Sequence, residues 1–107
     1  MFGMTVPDDS NGCLQDIHWS MGMFGYFPTY SLGNLNASHL YEAALASDST
    51  ISAESARGNY QPLLEWMRKN IHEKGSLHLP NQLIEVAAGK AVTAEAHVKH
   101  LRRRYLD

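Results

Sequence analysis

The residues with the greatest chemical capacity lie together near the start of the chain, in Gly12-Cys13-Leu14-Gln15-Asp16-Ile17-His18-Trp19. Asp16 and His18 stand two apart. In an extended loop that spacing sets both side chains on one side of the backbone, where a carboxylate can orient an imidazole. Gln15 adds a neutral group that both donates and accepts. The same residue types also suit a plainer arrangement, a loop in which a hydrogen-bonded Asp–His pair caps a helix. Other candidates carry less. His97 and His100 are spaced to meet on a helix, but no residue is designated as a further zinc ligand, so both read as surface histidines. Cys13, the single cysteine, has no assigned base and reads as a packed or idle thiol. Arg102-Arg103-Arg104 reads as a solvated last turn that complements a helix dipole.

Helices must position these groups. Residues 1–18 are turn-rich, with Pro7-Asp8-Asp9-Ser10-Asn11-Gly12 favouring a loop. An aromatic, glycine-bearing stretch follows from Trp19 to Tyr30, and Pro28 disfavours α geometry at Phe27. Leu32, Leu35, Leu40, Ala43 and Ala44 form a helical stripe ending near Ser47. A polar connector spans Asp48 to Gly58, with room for one short helix around Ala53–Arg57. The clearest helix comes next, with Asn59 as N-cap, Pro62 in the first turn and Leu63, Leu64, Met67 and Ile71 on one face, and it stops by Gly75. Pro80 opens a short helix that Gly89 ends. Thr93 caps a last helix with Ala94, Val98, Leu101 and Tyr105 on one side. The expectation is all-α: a small bundle of about four helices, with no internal repeat.

Composition narrows the function classes. At 107 residues the chain has room for one modest core. A formal net charge of −2 argues against nucleic-acid binding driven by bulk charge. No apolar run approaches the roughly 18 residues that suggest a membrane span. Met1-Phe2-Gly3-Met4 has no basic region and meets Asp8-Asp9 early, unlike a signal peptide. With a single cysteine, these features lead to an expected cytoplasmic protein.

The segment from Gly12 to Trp19 matches, at every specified position, the GxxQDxHW motif of the M32 (Taq carboxypeptidase) family of zinc-dependent carboxypeptidases. The stretch Phe24-Gly25-Tyr26-Phe27-Pro28-Thr29-Tyr30 and the run from Tyr60 to His72 are also similar to that family, as is the ending at Leu101-Arg102-Arg103-Arg104-Tyr105. The chain therefore resembles the family's C-terminal part over essentially all of residues 1–107, with a motif loop and aromatic stretch in 1–30 and helices in 31–107. The resemblance implies a larger, mostly helical zinc-peptidase fold.

The departures are as informative. The family holds zinc through a HExxH helix and a downstream glutamate, with the helix glutamate as general base. This sequence has no HExxH. His72-Glu73-Lys74-Gly75-Ser76 lacks the second histidine, and His78 lies beyond Gly75, off the same helical face. The HPF, DxRxT and IRxxAD motifs are absent too, and the resemblance places them before Met1. No metal site is expected in this chain, and the parent enzyme's zinc is expected on residues outside it. Related helical zinc peptidases use a His and a Tyr to hold the scissile carbonyl and its oxyanion. The resemblance thus implies His18 and Tyr26, then Tyr30, as catalytic residues, with Gln15 and Asp16 supporting them or orienting substrate. The expected function is part of the cleft wall of an enzyme that releases C-terminal amino acids from peptides, inactive in isolation. The alternative is a non-catalytic, self-associating helical module. For that module, rings left uncovered around Trp19 lead to an expected homo-oligomer, a dimer in the first instance.

Overall fold

A computed structural model describes residues 3–106. Met1, Phe2 and Asp107 lie outside the described residues, and with them the N-terminal part of the signal-peptide reading. The described residues form six α-helices and no strand: α1 (Ile17–Ser20), α2 (Pro28–Ser47), α3 (Thr50–Ala56), α4 (Gln61–Asn70), α5 (Pro80–Ala88) and α6 (Glu95–Tyr105). The all-α expectation holds, but six helices replace about four. The two additional ones are four and seven residues long, too short to display a 3.6-residue periodicity. Each is started by an aspartate. Asp16 accepts from the His18 backbone N–H, and Asp48 accepts from the backbone and hydroxyl of Thr50, at 2.8 and 2.7 Å. The Thr50 bonds hold the Asp48 carboxyl below its ordinary range. They also explain why α3 begins at Thr50, ahead of Ala53.

The chain divides into two compact units, Met1–Tyr30 and Ser31–Asp107, with the boundary inside the first turn of α2. In the second unit the anticipated ends recur. Asn59 and Thr93 stand one residue before the N-caps Tyr60 and Ala94, and still Asn59 Oδ1 accepts from the Gln61 N–H and Thr93 Oγ1 from the Glu95 N–H; Pro80 begins α5. Burial is scarce. Ala44, Ile51 and Ala96 are the buried apolar residues, and His39 is buried with them.

Polar ties between distant segments supplement this small core. His39 Nε2 lies 2.9 Å from the Thr93 N–H donor and 2.8 Å from the Thr93 carbonyl, and serves one or the other according to tautomer. Its Nδ1 is buried without a partner. Glu42, also on α2, receives Lys90 at 2.7 Å through one oxygen and Lys99 at 3.0 Å through the other. The bond from Lys90, then that from Lys99, outweigh the opposing effect of burial and lower the Glu42 pKa from 4.5 to about 2.

A carboxylate with a lowered folded-state pKa contributes stability above the unfolded value and loses it as pH falls. The Glu42 contribution should therefore be present above pH 4.5 and fade towards pH 2. Both lysines are more than half exposed, so each pair contributes about 0.2–1 kcal/mol. Glu42→Gln should cost about 1 kcal/mol at pH 6 and flatten the acid limb of a urea-unfolding series. Identical midpoints for the two proteins at pH 6 would assign these ties no energetic role.

Candidate functional site

The first unit builds the site from its loop upward. Asp8 starts the turn by accepting from the backbone and side chain of Asn11 at 2.8 and 2.9 Å. Gly12 follows, where a Cβ would meet Val6 Cγ1 at 2.5 Å and the Asp8 carbonyl at 3.2 Å, so a side chain would push the loop open. A 3-10 turn over Cys13–Gln15 comes next. The Gln15 side chain donates to the Ser10 carbonyl at 2.6 Å, closing the loop on itself. Cys13 is exposed rather than packed.

Asp16 is the N-cap of α1, and one of its oxygens makes two contacts. Oδ1 accepts from the His18 backbone N–H at 3.0 Å and lies 2.9 Å from His18 Nδ1. The two readings of the Asp–His spacing are thus one structure: the carboxylate caps a helix and orients the imidazole in the same act. His18 stands in the first turn of α1 rather than on extended chain. Burial pushes the Asp16 carboxyl up, but the bonds from the His18 side chain and backbone outweigh it and hold the pKa below its ordinary value.

The chain then doubles back. Gly22 and Gly25 adopt φ of +74° and +75°, backbone that other residues rarely take, and between them the Met23 N–H bonds the His18 carbonyl at 2.8 Å. This return brings three rings onto His18. Tyr26 stacks on it at 5.3 Å and 19° between planes, Phe27 leans against it at 4.8 Å, and Tyr30 meets it edge-on at 5.8 Å. The Tyr30 hydroxyl lies 3.2 Å from His18 Nε2. The His18 side chain is only 14% exposed, whereas Tyr26 and Tyr30 remain 42% and 53% exposed, so the phenols present the site to its surroundings.

The line Asp16–His18–Tyr30 has a defined proton arrangement. An ionised carboxylate only accepts, so Nδ1 carries the imidazole proton and Nε2 accepts from the Tyr30 hydroxyl. The sequence ranks Tyr26 ahead of Tyr30, but the hydrogen bond goes to Tyr30 and the stacking to Tyr26. Phe27, assigned no part in the sequence, forms a third wall.

Among the described residues no group of three or more His, Cys, Asp or Glu side chains is gathered to hold a metal ion. His97 and His100 stack at 6.4 Å between ring centroids, and His97 Nδ1 is engaged with Ser38 Oγ at 2.9 Å. His97 is therefore tied to α2 rather than being a simple surface histidine. These residues do not fit a catalytic zinc site.

Comparison with known proteins gives one consistent result. The family model described as carboxypeptidase Taq (M32) metallopeptidase matches residues 1–105. The chain is 41% identical over 103 residues to thermostable carboxypeptidase 1 of Thermus thermophilus, covering 96% of this chain and 20% of that protein. It is 37% identical over 106 residues to thermostable carboxypeptidase 1 of Pyrococcus furiosus, covering 99% and 21%. Among solved structures, metallocarboxypeptidase 1 of Trypanosoma cruzi superposes with a TM-score of 0.88 at 36% identity, over 99% of this chain and 23% of that one. The M32 carboxypeptidase of Deinococcus radiodurans gives 0.86 at 38%, over 96% and 21%. The chain thus spans about a fifth of the length of the curated relatives it matches.

The proton arrangement is directly measurable. Nitrogen-15 spectra of neutral His18 should show the Nδ1–H tautomer, and Asp16→Asn should shift the population towards Nε2–H. A spectrum that Asp16→Asn leaves unchanged would remove Asp16 from this role.

Proposed function

The chain belongs to the carboxypeptidase Taq (M32) metallopeptidase family, and from that membership we propose that it supplies the C-terminal part of a zinc metallocarboxypeptidase that releases C-terminal amino acids from peptides. In this reading, its first unit forms the wall of the cleft that meets the scissile carbonyl. The observation that carries the reading is the Asp16–His18–Tyr30 line, with its largely covered imidazole and half-exposed phenols.

Each residue has a distinct part. Asp16 fixes the tautomer and angle of His18. His18 Nε2 holds the Tyr30 hydroxyl in place, and the phenol proton turns from Nε2 to the carbonyl oxygen as negative charge builds there. A donor aimed at developing charge in a site that excludes water is worth about 3 kcal/mol in the transition state. Tyr26 and Phe27 wall the imidazole from water, and Gln15 keeps the motif loop closed. The zinc of the parent enzyme, and the base that activates its water, belong to residues outside this chain. On its own, the chain should not hydrolyse peptides. The single exposed Cys13 accords with a cytoplasmic setting.

A second reading is self-association as a dimer without catalysis. Trp19 and Phe24 are 61% and 74% exposed, lie 5.8 Å apart between ring centroids, and form an apolar surface in the first unit. Light scattering separates the cases, since a clean monomer removes the second reading.

The catalytic reading is tested by co-expressing the chain with the part of the Thermus thermophilus enzyme to which it does not align, then assaying release of C-terminal amino acids. His18→Ala and Tyr30→Phe should each lower kcat by about 10²–10³. Asp16→Asn should lower it by about 10–100-fold. Tyr26→Phe, which keeps the stacked ring, should have the smallest effect. Zinc-dependent hydrolysis by the chain alone, or full activity in Tyr30→Phe, would overturn the assignment.

A further inference from the structure

Tyr26 and Tyr30 both reach His18, yet a different piece of backbone carries each. Tyr30 lies in the first turn of α2, whereas Tyr26 stands two residues before that helix begins at Pro28. The helix cannot run back to hold it, because Pro28 has no N–H and disfavours α geometry at Phe27. On its N-terminal side Tyr26 follows Gly25, and its own N–H reaches the Met23 carbonyl only at 3.4 Å, beyond the ordinary hydrogen-bond range. The firm attachment lies on the other side. The Tyr26 carbonyl accepts from the Thr29 backbone N–H at 3.0 Å and from the Thr29 hydroxyl at 2.6 Å. Two donors occupy both lone pairs of that oxygen. Thr29 is exposed, so its hydroxyl rather than its packing is what it contributes to the unit.

The line that Tyr26 borders has little slack. The Tyr30 hydroxyl is 3.2 Å from His18 Nε2, at the long end of the range, and the imidazole can turn about its Asp16 contact unless its faces are held. Tyr26 holds one face by stacking on it, and it meets the Tyr30 ring edge-on at 5.5 Å. We infer that Thr29 is a positioning residue for the reaction: its hydroxyl ties Tyr26 to the turn that carries Tyr30, so that the ring stacked on His18 and the phenol bonded to it stay in register. Thr29 acts through these three side chains and contacts no reacting atom. Its effect on rate rests on the catalytic reading above, whereas its effect on the geometry of the line does not.

The test replaces Thr29 by valine, which keeps the branched shape and removes the hydroxyl. In nitrogen-15 spectra of the chain alone, the His18 Nε2 signal reports whether that nitrogen accepts a hydrogen bond, and Tyr30→Phe marks its position when the bond is gone. Thr29→Val should move the signal towards the Tyr30→Phe position, and Thr29→Ser, which restores a hydroxyl, should return it. Thr50→Val, which removes a comparable hydroxyl bond at the start of α3, should leave it unmoved. Circular dichroism checks that the helices of each variant are intact. In the complex with the non-aligning part of the Thermus thermophilus enzyme, Thr29→Val should lower kcat about three- to ten-fold with KM unchanged, and Thr29→Ser should recover it. An Nε2 signal in Thr29→Val identical to that of the wild type, or one that Thr29→Ser fails to restore, would sink the inference. So would an unchanged kcat in Thr29→Val where Tyr30→Phe has lost activity. A shifted signal in Thr29→Val alongside full activity in Tyr30→Phe would instead sink the catalytic reading, and with it the effect on rate.

Discussion

One oxygen of Asp16 accepts from both the backbone and the ring of His18, and the first unit is organised around that contact. A cap satisfies a backbone donor that the first turn of a helix leaves free. Here the donor and the imidazole belong to the same residue, so starting the helix also points the ring. The ring in turn supplies the surface on which Tyr26, Phe27 and Tyr30 assemble. A four-residue helix has little stability of its own. In this unit it persists because its cap, the bond from the Met23 N–H to its carbonyl and its stacked rings converge on one residue, His18.

The second unit obeys a different constraint. With Ala44, Ile51 and Ala96 as its buried apolar residues, it cannot draw most of its cohesion from a core. Polar ties from α2 add to it: His39 to Thr93, Ser38 to His97, and Glu42 to Lys90 and Lys99. The cost is visible in His39, whose buried Nδ1 has no partner among the described residues. An orphaned buried polar group of this kind costs about 1–3 kcal/mol. The exposed apolar residues and the small core are complementary facts, since surface that would serve as core in a self-sufficient domain is turned outward here.

Much of this was legible residue by residue. Pro80, Gly89, Thr93 and Asn59 mark helix ends through their own backbone chemistry, which needs no tertiary context. The motif at Gly12–Trp19 located the site, and the Asp–His spacing gave both of its readings. Other features left a fainter trace or none. The helices α1 and α3 are too short for a periodic stripe, so only the Asp16–His18 cap and a short helix placed late, around Ala53–Arg57, hinted at them. Tyr26 and Tyr30 differ in sequence only by four positions, and it took the return through Gly22 and Gly25 to give one the stack and the other the hydrogen bond. His39 lies four residues after Leu35 and four before Ala43, so its place on the apolar stripe of α2 was readable, though its partner Thr93 was not. Glu42 meets lysines 48 and 57 positions away, and no spacing rule connects them.

The return of the chain from His18 to Tyr30 also sets the order in which contacts are affordable during folding. The two side chains are 12 positions apart, and closing a loop of that length costs about 2 kcal/mol in its length-dependent entropy. Joining Glu42 to Lys90 closes a loop four times longer, at about 1.2 kcal/mol more. The Asp16–His18–Tyr30 line is therefore a short-range structure whose members need no distant segment to find one another. It can form before the ties from α2 to Lys90, Thr93 and His97 close their longer loops.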